Sequence, residues 1–339
     1  MHSLSAPWCC LALAWVAFPA AAAERLYVSN EDDGTVTVID TDRSAALATI
    51  TAGKRPRGLA LSPDGARLYV AVSGLPKCPP PIADEECAKL PRDREADGIA
   101  VIDTKALART RLITGVSDPE RVAVSRDGRG LFVSEEDAAR LAVLDARSAR
   151  VLTTVPVGRE PEGVRVSPDG RWVLVTSEEE NLVTIVDAKS YGVVGRAYVG
   201  KRPRDIGITP DSRFAYVSGE ADASVYRIAL PSGAPTVRFL ELHAGARPMG
   251  VALDAARGRL YVSTGRAGTL AAIALSDARL LGEAACGGRP WGIALGSGGT
   301  RLYSADGPVG EVAVVDTTTM SVMQKISAGK GPWAVVVGP

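Results

Sequence analysis

The residues best suited to chemistry stand in pairs, one on either side of seven prolines. In chain order the pairs are Arg55/Arg57, Asp118/Glu120, Glu160/Glu162, Arg202/Arg204, Arg247/Met249, Arg289/Trp291 and Gly331/Trp333. Guanidinium groups beside indole rings make a platform for a planar anion, because the ring face attracts the cation and the fork presents paired donors. The carboxylates could neutralise the arginines or hold a metal. More acids lie within reach in Glu31-Asp32-Asp33, Glu135-Glu136-Asp137, Glu178-Glu179-Glu180, Glu220 and Asp222. Two readings of the arginines stay open on this ground: internal ion pairs, or a site for a small anionic ligand or a partner side chain.

Other chemistry is poorly supplied. Histidine occurs only at His2 and His243, too few for a Ser-His-Asp triad or a multi-histidine metal site. There is no Cys-x-x-Cys-His run for covalent haem and no glycine-rich phosphate loop leading from a strand into a helix. Basic and acidic residues balance at 39 each, which gives no global pull on a polyanion. These gaps favour a non-enzymatic binding module with no catalytic residues, no cofactor and no resident metal.

The prolines that carry the pairs are Pro56, Pro119, Pro161, Pro203, Pro248, Pro290 and Pro332, spaced 63, 42, 42, 45, 42 and 42 residues apart. In six cases a glycine stands three residues earlier. Each period repeats four strand-like segments. A short small-residue run follows the proline, as in Gly58-Leu59-Ala60-Leu61. A turn such as Ser62-Pro63-Asp64-Gly65 comes next, suited to type I geometry. A β-branched and aromatic segment follows, as in Leu68-Tyr69-Val70. Then comes an alternating strand ending in aspartate, as in Val36 to Asp40, and a fourth strand running back to the glycine.

Four antiparallel strands in each of seven periods predict an all-β, seven-bladed β-propeller. The chain begins its repeats on a second strand, at Leu26, and ends on a first strand, Ala334 to Val337. The C-terminal strand should therefore join the N-terminal blade and close the ring, removing exposed sheet edges. The proline loops then gather at one end, the top, and their flanking residues form a channel mouth. The candidate ligand or partner site is Arg55, Arg57, Glu120, Glu162, Arg202, Arg204, Arg247, Arg289, Trp291 and Trp333.

Residues 1–23 read as an export signal, an apolar run from Trp8 to Phe18 followed by small residues to Ala23. Residues 24–339 then form one propeller domain, expected as a periplasmic monomer with no membrane span. The 63-residue spacing places an insertion at about 74–97, in a top-face loop. Cys78 and Cys87 bracket its proline-rich part and are expected to form a disulfide. Cys286 is left as a buried thiol.

The words Leu-Tyr-Val-Ser-Asn at 26–30, Val-Thr-Val-Ile-Asp at 36–40 and the Ser-Pro-Asp-Gly turns resemble the YVTN-type propeller repeat over essentially the whole chain after the signal. Within that class the chain is most similar to exported seven-repeat proteins associated with pyrroloquinoline-quinone-dependent alcohol oxidation and ABC transport. The resemblance implies a binding or assembly module whose partner is the quinone-dependent dehydrogenase or a transport component. Such a dehydrogenase would carry a vicinal disulfide, and here the Cys9-Cys10 pair lies in the export segment. An alternative is a metal-dependent, lactonase-like hydrolase using Glu120, Glu162 or the acidic loops. A lesser one is single-stranded nucleic-acid binding through Trp291, Trp333 and the arginines, which the neutral charge balance disfavours.

Overall fold

A computed structural model describes residues 24–78, 82, 84–87 and 89–339. The export signal expected at 1–23 lies outside them. The described chain forms seven four-stranded antiparallel sheets arranged as propeller blades. Blade 1 takes Pro332–Gly338 as its inner strand, followed outward by Arg25–Asn30, Thr35–Asp40 and Ala45–Thr51. The C-terminal strand pairs directly with the first, with Tyr27 opposite Val336. Ring closure is therefore as the sequence implies.

The inner strands of blades 2 to 7 are Pro56–Leu61, Pro119–Val124, Pro161–Val166, Pro203–Ile208, Val251–Asp254 and Pro290–Leu295. Six of the seven inner strands thus begin on the repeat proline; blade 6 starts three residues after Pro248. Proline suits a strand's first residue because no ladder hydrogen bond is needed from it there. Crowding at the axis explains the small residues that follow. A Cβ on Gly163 would sit 2.3 Å from the Arg204 carbonyl oxygen of blade 5, and one on Gly250 would sit 2.5 Å from the Trp291 carbonyl oxygen of blade 7.

The aspartates on the bottom face serve the turns. Asp40, Asp103, Asp145, Asp187 and Asp316 each accept backbone N–H bonds from residues two and three further on. The core lies between blades. Second strands contribute fully buried aromatic rings such as Tyr27, Tyr69, Phe132, Tyr261 and Tyr303, which pack against the neighbouring blade's inner strand. No helix among the described residues is long and apolar enough to cross a membrane.

The insertion connects Val72 to Gly98 and holds a short helix, Asp84–Cys87, and a 3-10 turn, Arg94–Ala96. The Cys78–Cys87 disulfide is present, with 5.8 Å between Cα atoms. Cys286 is free and buried, and burial pushes its thiol up to about 11. A disulfide is compatible with an exported protein.

Candidate active site

Three local devices aim the mouth residues. The residue before the proline adopts a left-handed backbone in blades 2 to 5, with φ of 42° at Arg55, 41° at Asp118, 49° at Glu160 and 55° at Arg202. That conformation costs a non-glycine residue about 1–2 kcal/mol, and αR is disfavoured before proline in any case. The residue after the proline is held by the preceding blade. Ser29 donates to the Arg57 carbonyl (2.7 Å), Ser134 to Glu162 (2.9 Å), Thr176 to Arg204 (3.1 Å), Ser218 to Met249 (2.6 Å) and Ser263 to Trp291 (2.6 Å). A third position follows the second strand. There the N–H of Glu31, Glu136, Glu178 and Glu220 donates to the carbonyl of Gly331, Asp118, Glu160 and Arg202 respectively. Blades 3, 4 and 5 so offer a side chain at each of the three positions, whereas blade 1 has Gly331 at one of them.

On blades 3 and 4 all three positions are acidic: Asp118, Glu120 and Glu136, then Glu160, Glu162 and Glu178. Arginines from the flanking blades clamp them. Arg57 of blade 2 is almost fully buried and bonds Asp118 (2.5 Å), Glu120 and Glu136 (3.0 Å). Arg204 of blade 5 bonds Glu162, Glu178 (2.7 Å) and Glu220 (2.7 Å). Burial opposes the charge on both guanidiniums, but the surrounding carboxylates outweigh it and push both pKa values up.

Carboxyls outnumber their clamps, so protons are retained at neutral pH. Burial, then repulsion from Glu162 and Asp118, lifts Glu136 to about 7 against the pull of Arg57. Glu178 rises to about 8, through burial and Glu162, against Arg204. Glu120 is also raised by burial and by its acidic neighbours. Glu160 makes no salt bridge among the described residues; burial, Glu179 and Glu162 raise its pKa too.

The opposite arc is different. Trp291 of blade 7 and Trp333 of blade 1 meet edge to face, with centroids 5.6 Å apart. Arg289 stacks 4.8 Å from the Trp291 centroid, has no carboxylate in salt-bridge range among the described residues, and buries an Nε without a hydrogen-bond partner. Burial pulls its pKa down, as do Arg266, Arg204 and Arg247 nearby. Between the arcs lies a cavity of about 630 Å³. The insertion borders it through Lys77 and Cys78, with Lys77 tied to Glu31 (3.0 Å) and Asp32 (2.6 Å) of blade 1.

Nine of the ten mouth residues expected from the sequence line this one cavity; Arg247 does not. Arg55, Arg57, Arg202 and Arg204 carry ion pairs, as the internal-pairing reading holds. Arg289 fits the ligand-platform reading. Arg121 and Asp205, which also line the cavity, escaped the sequence reading. They are the next residues along their strands from Glu120 and Arg204, a position at which the other blades carry small or apolar residues. The hydroxyls that fix the mouth were legible only as the last letter of the second-strand words Tyr-Val-Ser, Phe-Val-Ser and Leu-Val-Thr.

The cytochrome d1 heme domain family matches residues 92–218, less than half of the chain. No curated protein matches the sequence. Solved structures share the fold at low identity. The periplasmic gluconolactonase of Pseudomonas aeruginosa is 17% identical with a TM-score of 0.72, over 94% of this chain and 99% of that one. Kuenenia stuttgartiensis hydrazine synthase is 20% identical with a TM-score of 0.72, over 86% and 92%. A dihydro-heme d1 dehydrogenase is 19% identical with a TM-score of 0.62, over 91% and 65%.

These neighbours are enzymes, which overturns the expectation of a non-enzymatic module without catalytic residues. That expectation rested on missing histidines, and the cavity shows why the step was unsound: buried carboxyls of raised pKa can move protons without imidazole. Haem does not fit this cavity. Residues 92–218 contain no His, Cys or Met, and the lining offers Met249 and a disulfide-bound Cys78 but no imidazole, free thiolate or phenol. A metal held by Glu120 or Glu162 is also poorly served. Arginine occupies both carboxylates, and no group of three His, Cys, Asp or Glu side chains is placed to hold a metal ion among the described residues.

Proposed function

We propose that the protein is a lactonase-like hydrolase that opens a cyclic ester in the mouth cavity without a metal. The observation that carries this reading is the placement of Glu160 and Arg289, a carboxyl and a guanidinium that each make no salt bridge among the described residues, on opposite arcs of one cavity. The gluconolactonase likeness supports the reaction class. Ring opening needs a base for water, donors for the carbonyl oxygen and an acid for the leaving oxygen.

Glu160, as carboxylate, takes a proton from water while the water oxygen bonds to the carbonyl carbon. The carbonyl π electrons move onto oxygen, and the Arg289 N–H donors hold that oxyanion. Collapse breaks the ring C–O bond, and the departing alkoxide takes the proton of Glu136, which is about half protonated near pH 7. The product is a hydroxy acid; Glu136 is restored by the proton held on Glu160. Trp291 and Trp333 cover the apolar face of the ring and exclude water from it.

The resemblance to quinone-associated propellers adds a setting. Oxidation of a cyclic hemiacetal gives a lactone, so an alcohol-oxidising dehydrogenase in the periplasm would supply this substrate. The test is a pH-stat measurement of acid release from five- and six-membered sugar lactones by the purified protein. Turnover well above the uncatalysed rate is expected. Release no faster than in buffer overturns the proposal.

A further inference from the structure

We propose that the preferred lactone carries a carboxylate substituent, and that Arg121 on the channel axis is its receptor. The inference rests on the lactonase reading and names the substrate class of the same site. Arg121 belongs to the inner strand of blade 3. It lines both the mouth cavity and a second cavity of about 380 Å³ beneath it, so it stands at the floor between the two. Its guanidinium lies 5.2 Å from the Trp333 centroid, as that of Arg289 lies against Trp291. The aromatic pair thus carries a guanidinium on each ring.

Charge at the floor does not balance. Arg121 reaches one carboxylate, Asp205, at 3.5 Å. Asp205 is already held by Arg165 through two bonds, of 3.2 and 3.0 Å, and by the N–H groups of Ile206 (2.9 Å) and Val251 (3.2 Å). Two guanidiniums therefore share one committed carboxylate. Arg121 is only 13% exposed, and its Nε is buried without a partner. An unsatisfied buried donor is costly, and an anion entering from the cavity removes that cost.

A carboxylate suits this floor better than a phosphate. The surplus is about one positive charge, and a planar fork pairs two-to-two with a planar carboxylate. A phosphate dianion would bring a second charge against Asp205 and the acidic arc. Arg289 then holds the reacting carbonyl near the rim while Arg121 holds the substituent below it.

The test is binding of open-chain acids, which needs no turnover. Glucarate (a sugar diacid), gluconate (the monoacid) and 6-phosphogluconate are titrated into the full-length mature protein. Calorimetry gives the affinities, and quenching of tryptophan emission reports contact with Trp291 and Trp333. Glucarate should bind at least tenfold tighter than gluconate. Arg121→Gln should erase that preference, while Arg289→Gln weakens both ligands alike. Arg121→Lys, which keeps the Asp205 pair, guards against a folding defect and should restore part of the preference. Equal affinity of the two acids, no binding of either, or a preference unchanged in Arg121→Gln overturns the proposal. Tighter binding of 6-phosphogluconate than glucarate overturns the choice of carboxylate. Diacid binding without lactone hydrolysis would leave the Arg121 subsite standing and sink the hydrolase reading instead; hydrolysis without the preference would do the reverse.

Discussion

Blades 2 to 5 and blades 6, 7 and 1 face each other across the same cavity, yet do opposite things with arginine. On the acidic arc, Arg57 and Arg204 each face three carboxyls and are locked by them. On the aromatic arc, Arg289 stacks on an indole and makes no salt bridge among the described residues. Identical side chains thus become scaffold in one place and reactive surface in the other. What separates them is place and company: Arg57 and Arg204 follow the repeat proline among acids, whereas Arg289 precedes its proline beside Trp291, and at that same position Arg55 and Arg202 find carboxylates.

The largest expected effect falls on the scaffold arginine. Arg57→Met would leave Asp118, Glu120 and Glu136 around an apolar side chain, and removing one partner of a buried charge group costs about 3–5 kcal/mol. Arg289→Met breaks no ion pair and should shift stability by less than about 1 kcal/mol. Chemical denaturation of both variants checks the contrast, and equal losses would erase the distinction between the arcs.

Activity should respond the other way. Arg289→Gln is expected to lower kcat for lactone hydrolysis about 10²–10³-fold, the scale for one lost oxyanion donor. The rate of the native protein should fall at low pH as Glu160 is protonated, and fall again above about pH 7 as Glu136 loses its proton. Glu136→Gln should abolish that alkaline limb.

Stability should carry the same signature. Folded-state values of about 7 for Glu136 and 8 for Glu178 lie above the ordinary 4.5. Between roughly pH 4.5 and 8 the folded state therefore holds more protons than the unfolded one, and stability declines as pH rises through that window. Glu136→Gln and Glu178→Gln should each flatten the decline, by about 1–3 kcal/mol at pH 8. The insertion lies outside this contrast. Opening Cys78–Cys87 should cost up to about 2–3 kcal/mol in the chain-entropy model, measured as melting temperature with and without reductant.

The scaffold was legible because each feature repeats. Seven prolines, the Ser-Pro-Asp-Gly turns and the Asp-ended strands encode local geometry that the blades reproduce with little change. Most of the mouth was legible for the same reason, since its residues flank those prolines. The division of labour among the arginines was not, because it depends on neighbours 16 to 79 positions away, as in Arg204–Glu220 and Arg57–Glu136. Arg121 and Asp205 stayed hidden because nothing in a strand's own sequence shows that it faces the ring axis. Catalysis was misjudged by reading the shortage of histidine as a shortage of proton-transfer groups.

The most direct test of the account compares lactone hydrolysis by the native protein, Glu160→Gln and Arg289→Gln at pH 7, with the three melting temperatures recorded alongside. Glu160 has no ion-pair partner to lose, so both variants should melt within a few degrees of the native protein while each loses at least about 100-fold in kcat. Native-like rates in both variants, at unchanged melting temperature, would contradict the assignment of the cavity as the active site.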